Sequence, residues 1–86
     1  MPRISRFYGI VIAMYFTDHQ PPHFHASYGE YSASIDIETG NARTGFLPPR
    51  QMRLVKRWAT LHRDDLRANW NRARNGKQLA PVAPLP

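Results

Sequence analysis

Apolar and polar residues repeat with two different periods along this chain, first about two and then about 3.6. Between Phe7 and Phe16 the run Ile10-Val11-Ile12-Ala13-Met14-Tyr15-Phe16 follows Gly9 and is rich in β-branched and aromatic residues. It predicts a first strand with Ile10, Ile12, Met14 and Phe16 on one face and Val11, Ala13 and Tyr15 on the other. Pro21-Pro22 stops this run, because each proline biases the residue before it away from the helical region, so Asp18–Pro22 should be stiff and extended.

A strict alternation follows. Phe24, Ala26, Tyr28, Tyr31, Ala33, Ile35 and Ile37 are the apolar set, and His23, His25, Ser27, Ser32, Ser34, Asp36 and Glu38 are the polar set. Gly29-Glu30 lies between Tyr28 and Tyr31, and glycine suits the first central position of a two-residue II′ turn. The register of such a hairpin pairs His23 with Asp36, Phe24 with Ile35, His25 with Ser34 and Ala26 with Ala33. One face then belongs to the core, and the other carries the polar groups. Gly40-Asn41 predicts a second turn, returning the chain through Arg43 to Leu47 as an edge strand.

The period changes after Leu47-Pro48-Pro49. Proline is tolerated in the first helical turn, and Asn75-Gly76 is a helix stop, so one long helix is expected from about Pro49 to Arg74. At 100° per residue Val55, Trp58, Ala59, His62, Leu66, Asn69 and Ala73 share one side, with Met52, Leu54, Leu61 and Trp70 at its margins. The fold class is α+β: a three- or four-stranded antiparallel sheet in the order β-β-β-(β)-α, with the long C-terminal helix packed on one face. Residues 1–76 form the domain. Residues 77–86 form a proline-rich tail, extended and either docked or disordered.

Charge changes this picture in one respect. The net charge is +6, but residues 1–49 sum to −1 and residues 50–77 to +7, so the basic charge belongs to the helix. Arg53, Lys56, Arg63 and Arg67 fall on the side opposite the apolar one, as a basic stripe suited to phosphates or to an acidic protein. The same pattern also describes a solvated outer helix face. The chain has no cysteine, which excludes disulfides and thiolate metal sites. It has no apolar run of the ~20 residues that span a bilayer, and no signal-peptide pattern, so a cytoplasmic protein without membrane contact is expected.

The candidate chemistry lies in Asp18-His19-Gln20-Pro21-Pro22-His23-Phe24-His25, which holds three of the four histidines. An imidazole ordinarily titrates near about 6.5 and can give or take a proton at neutral pH, and a carboxylate beside it orients the ring. His23 and His25 on one strand face, with Asp36 and Ser34 across from them, therefore suit acid–base chemistry such as RNA cleavage through the 2′-hydroxyl. His19 is a second-rank candidate, as is His62, whose place on the apolar helix side also suits a satisfied core histidine. A rival reading makes His19, His23 and His25 metal ligands. The plainest reading has the histidines finish the sheet or seal an interface.

Ile4-Ser5-Arg6-Phe7-Tyr8-Gly9-Ile10-Val11-Ile12, Met14-Tyr15-Phe16, Asp18-His19, Pro21-Pro22-His23-Phe24-His25 and Tyr28-Gly29-Glu30-Tyr31 together resemble a small bacterial family grouped as a domain of unknown function. The resemblance runs through Trp58-Ala59, Leu61-His62 and Asn69-Trp70 to Arg74-Asn75-Gly76. It departs at Arg43-Thr44-Gly45, where an acidic residue is more usual. The resemblance implies a genetic pairing with another small protein, as in a toxin–antitoxin module with this chain as toxin and a cognate antitoxin as partner. The expected function is a toxin acting on RNA or translation, by a metal-independent histidine site with no cofactor. A non-enzymatic nucleic-acid-binding or protein-interaction module and a histidine-ligated metal protein are the alternatives.

Overall fold

The computed structural model describes residues 2–16 and 19–86. Its elements are β1 (Arg3–Phe7), β2 (Ile10–Ala13), β3 (His23–Tyr28), β4 (Tyr31–Asp36), β5 (Ala42–Phe46), α1 (Pro49–Leu61) and α2 (Arg63–Arg74). The strands form one antiparallel meander in the order β1-β2-β3-β4-β5. The α+β class is as expected. The sheet has five strands rather than three or four, and the long helix is two.

The additional strand is β1, and the pattern explains why it is hard to read. Its buried residues, Ile4 and Phe7, are three apart, which is not a strand period. A bulge inserts Ile4 between the Arg3–Ala13 and Ser5–Ile12 pairs and shifts the phase by one, so both side chains reach the core. The expected Phe7–Phe16 strand is interrupted at Tyr8-Gly9, where φ values of 50° and 78° make a tight turn between β1 and β2. Two consecutive positive φ values match the twist of a hairpin, and Tyr-Gly is a less familiar signal for it than Asn-Gly.

The central hairpin has the expected register throughout: His23 opposite Asp36, Phe24 opposite Ile35, His25 opposite Ser34, Ala26 opposite Ala33. Phe24, Ala26, Ala33, Ile35 and Ile37 are buried, as alternation requires. The helices cover this apolar face. Trp58 of α1 is fully buried, with ring centroids 5.3 Å from Phe7 and 5.6 Å from Phe24.

The helix bends at His62, whose φ of −116° and ψ of 26° leave the helical region. The His62 amide still donates to Trp58 O and the Leu66 amide to His62 O, so the hydrogen-bond run continues through the bend. The buried sets Val55, Trp58, Ala59 and Leu66, Asn69, Trp70, Ala73 each keep helical spacing, and the bend lets both follow the twisted sheet. Trp70, placed at the margin by a straight helix, is thereby 3% exposed. Among the described residues no helix is long and apolar enough to cross a membrane.

The segment after α2 docks against the core. Val82 and Leu85 are buried, the Val82 amide donates to Ile4 O at 2.7 Å, and Trp58 Nε1 donates to Ala83 O at 2.8 Å. Asn69, fully buried, clips the same segment: its Nδ2 donates to Ala80 O and its Oδ1 accepts from the Ala80 amide. A buried amide needs such partners, and two backbone bonds supply them.

One glycine in β5 is required by contact as well as by conformation. Gly45 has φ +81°, and a Cβ there would lie 2.3 Å from Ser32 O and 2.8 Å from Ala33 Cα, both backbone atoms that cannot turn aside. Gly45→Ala should destabilise the protein by about 2–3 kcal/mol, from positive-φ strain plus displacement of β5 from β4. Urea unfolding measures this, and a midpoint within error of wild type would show that the strand yields freely.

Candidate functional site on the polar sheet face

His23 and His25 lie two apart on β3 and project from the polar face of the sheet, with ring centroids 5.2 Å apart. His25 is half-buried, opposite Ser34, with the Tyr15 ring edge-on at 4.6 Å. His23 is 7% exposed and lies deeper, with the Trp70 ring at 5.3 Å. Its Nδ1 is 2.9 Å from Pro21 O and 3.2 Å from Arg43 Nη1. A carbonyl only accepts and a guanidinium only donates, so Nδ1 satisfies one at a time. With Nδ1–H the ring donates to the Pro21 carbonyl, and with bare Nδ1 it accepts from Arg43.

Arg43 reaches this face because of a second bulge. Ser34 pairs with Thr44 and Ile35 with Ala42, so Arg43 is the extra residue of β5 and is turned toward His23. The result is an open groove of about 370 Å³, lined by His23, His25, Ser32, Ala33, Ser34, Arg43, Thr44 and Gly45. Two imidazoles, one guanidinium and three hydroxyls line it, and none of these side chains is acidic. Such a lining attracts a phosphate or carboxylate.

The other expected site residues are distributed differently. Asp36 stands opposite His23 in the register, but its Oδ1 accepts from the amides of Glu38 and Thr39, building the turn into β5. His19 is exposed at the start of the Pro-Pro segment, and Asp18 lies outside the described residues. His62 belongs to the helix bend, with its ring 5.7 Å from Trp58 and Nδ1 3.3 Å from Asp65 Oδ2. Among the described residues no three His, Cys, Asp or Glu side chains gather as a metal-ligand set.

The basic stripe is not a free outer face. Lys56 Nζ donates to Asn41 Oδ1 at 2.8 Å, and Arg67 forks onto Glu38 at 2.5 and 2.8 Å and reaches Asp64 at 3.3 Å. These partners, apart from Asp64, belong to the β4–β5 turn, so α1 and α2 lean their cations against the end of the sheet. Arg53 is exposed, and Arg63 is half-buried with a buried Nε. Arg43, not a helix arginine, supplies the cation next to the histidines. Sequence pattern missed it because the bulge that re-aims it has no periodic signature; Gly45, which must accept positive φ nearby, is the one local hint.

Hydrogen bonds from Arg67 hold the Glu38 carboxyl below its ordinary 4.5; desolvation opposes them, the charges of Arg67 and then Arg63 add smaller lowering effects, and the same pair raises Arg67. A depressed carboxyl contributes stability above its unfolded value and loses it as pH falls through the folded one. Thermal melts from neutral pH to below 4.5 should therefore show wild type losing its advantage over Glu38→Gln on the acid side. Because the pair is solvent-exposed, the effect is small. A constant difference across that range would assign the stability elsewhere.

No curated protein and no solved structure matches this chain. Residues 9–71, which include β2 through most of α2 and every residue lining the groove, match the family described as "Domain of unknown function (DUF4160)", and the chain belongs to that family.

Proposed function

We propose that the polar-face groove binds an RNA phosphodiester and cleaves it by histidine acid–base chemistry, and that the chain acts as the toxin of a bacterial toxin–antitoxin pair. The observation that carries the chemical reading is the adjacency of His25, His23 and Arg43 in one open groove free of lining carboxylates. One neutral imidazole takes the proton of the 2′-hydroxyl, and the 2′-oxygen bonds to phosphorus. The bond from phosphorus to the 5′-oxygen breaks, and an imidazolium returns a proton to that oxygen. The products are a 2′,3′-cyclic phosphate and a 5′-hydroxyl, with no oxidant or cofactor consumed. Arg43 offsets the charge that builds on the non-bridging oxygens. His25, the more accessible ring, and His23, deeper in the same groove, take these two proton-transfer parts. The helix cations that remain exposed, such as Arg53, add non-specific attraction for the polyanion.

Incubation of the purified protein with single-stranded RNA in the presence of a chelator tests this reading. Fragments ending in cyclic phosphate, and a rate that rises and falls with pH because one imidazole must be neutral and the other protonated, are the expected results. Intact RNA, or cleavage that stops on chelation, would remove it. The toxin role predicts growth arrest on expression of this chain alone and relief on co-expression of its genetic partner.

A further inference from the structure

The two edges of the sheet are finished in opposite ways. At β1 the docked C-terminal segment covers the strand, and the Val82 amide takes up the Ile4 carbonyl at the bulge. At β5 nothing among the described residues pairs on the outer side, and all five residues are exposed. An uncovered edge is a ready template for another strand unless short length, charge or a bulge blunts it. β5 has a bulge, but that bulge turns Arg43 onto the polar face rather than outward across the edge. Beside it Phe46 is 58% exposed and Tyr31 44% exposed, their rings edge-to-face at 5.7 Å. This is an apolar platform at the end of an open strand, next to a cationic groove.

We propose that β5 is a docking edge for an extended acidic segment of a partner protein, which adds to the sheet as a further antiparallel or parallel strand. Main-chain hydrogen bonds would supply affinity. A strand paired with β5 lies about 4.8 Å away, so its alternate side chains stand beside Thr44 and Arg43 on the polar face. Carboxylates at those positions meet Arg43, and an apolar residue at the strand's end covers Phe46. A second copy of this chain fits less well, because each copy carries a net +6 and the pairing would bring two Arg43-bearing strands together. The proposal does not depend on RNA cleavage, since a docking edge needs no chemistry.

A peptide of alternating threonine and glutamate with a leucine at the end that lies beside Phe46, long enough to overlap β5 at both ends, is the probe. Its binding to the full chain is followed by fluorescence anisotropy, and its location by amide hydrogen exchange, both without RNA. Binding that slows exchange within residues 42–46, weakens with salt, and falls about five- to tenfold in Phe46→Ser supports the proposal. Phe46 does not line the groove, so this variant should still cleave RNA if the wild type does. Equal binding of a threonine–lysine peptide, protection confined to α1 around Arg53 and Lys56, or no binding overturns it. So does concentration-dependent protection of β5 without peptide, which would identify a second copy as the occupant. Failure of cleavage with successful docking, or the reverse, separates this proposal from the ribonuclease reading.

Discussion

His25→Ala should lower the rate of RNA cleavage by about 10²–10⁴-fold, the usual contribution of a positioned acid or base, while leaving the fold in place. The ring is half-buried on the open sheet face, where it packs against Tyr15 and His23 beside an open groove, so its loss opens no sealed cavity in the core. The melting temperature should move by only a few degrees, as for a side chain outside the main core. Ser27→Ala, on the same strand and the same face but exposed and outside the groove, is the control and should cleave like wild type. The pH profile discriminates further. If His25 moves a proton, residual activity loses one limb of the dependence on pH; if it only shapes the groove, both limbs persist at reduced height. A variant with unchanged rate would leave the histidine pair without the role assigned to it.

Removal of residues 78–86 should cost about 3–4 kcal/mol and lower the melting temperature by roughly 12–32 °C. Burial of Val82 and Leu85 contributes about 3–6 kcal/mol before the ordering of the segment is counted. That ordering cost is reduced by Pro81, Pro84 and Pro86, whose φ is restricted in the unfolded chain as well. The segment also satisfies three separate elements: Ile4 O on β1, Trp58 Nε1 on α1 and the Asn69 amide on α2. Its loss therefore exposes the side of Trp58 that faces Ala83, and tryptophan emission should shift to the red. For a domain whose total stability is on the order of 4–13 kcal/mol, this is a large fraction. A truncated protein that melts with wild type would mean that the segment lies on the core without supporting it.

The central hairpin and the sites at its turns were legible because several independent signals agree there. Alternation assigns faces, Gly29 supplies the positive φ of the turn, and a two-residue connection leaves one register. His23 and His25 follow as neighbours on the polar face with no further information. The helix faces were legible as periods: of the side that 100° spacing selects, Val55, Trp58, Ala59, Leu66, Asn69 and Ala73 are buried, while His62 is half-buried and the marginal Trp70 joins the buried set.

Where the reading stops, a local irregularity or a contact between distant segments takes over. A bulge changes phase without changing composition, so neither Ile4 at β1 nor Arg43 at β5 announces its direction. The bend at His62 brings Trp70, at the margin of the side a straight helix turns inward, into the core beside the His23 ring, and no proline or glycine marks it. Arg67 is basic in any window, yet Glu38, twenty-nine residues away, takes up its charge.

What the amino-acid sequence determines alone is the α+β class, the hairpin register and the pairing of His23 with His25 on one face, since each depends on near neighbours and a fixed period. What only the tertiary structure decides is which cation stands beside those histidines, which helix charges remain exposed, and which edge of the sheet is left open. Those depend on two bulges, one bend and a docked C-terminal segment, whose energies come from residues far apart in the chain and close together only in the folded state.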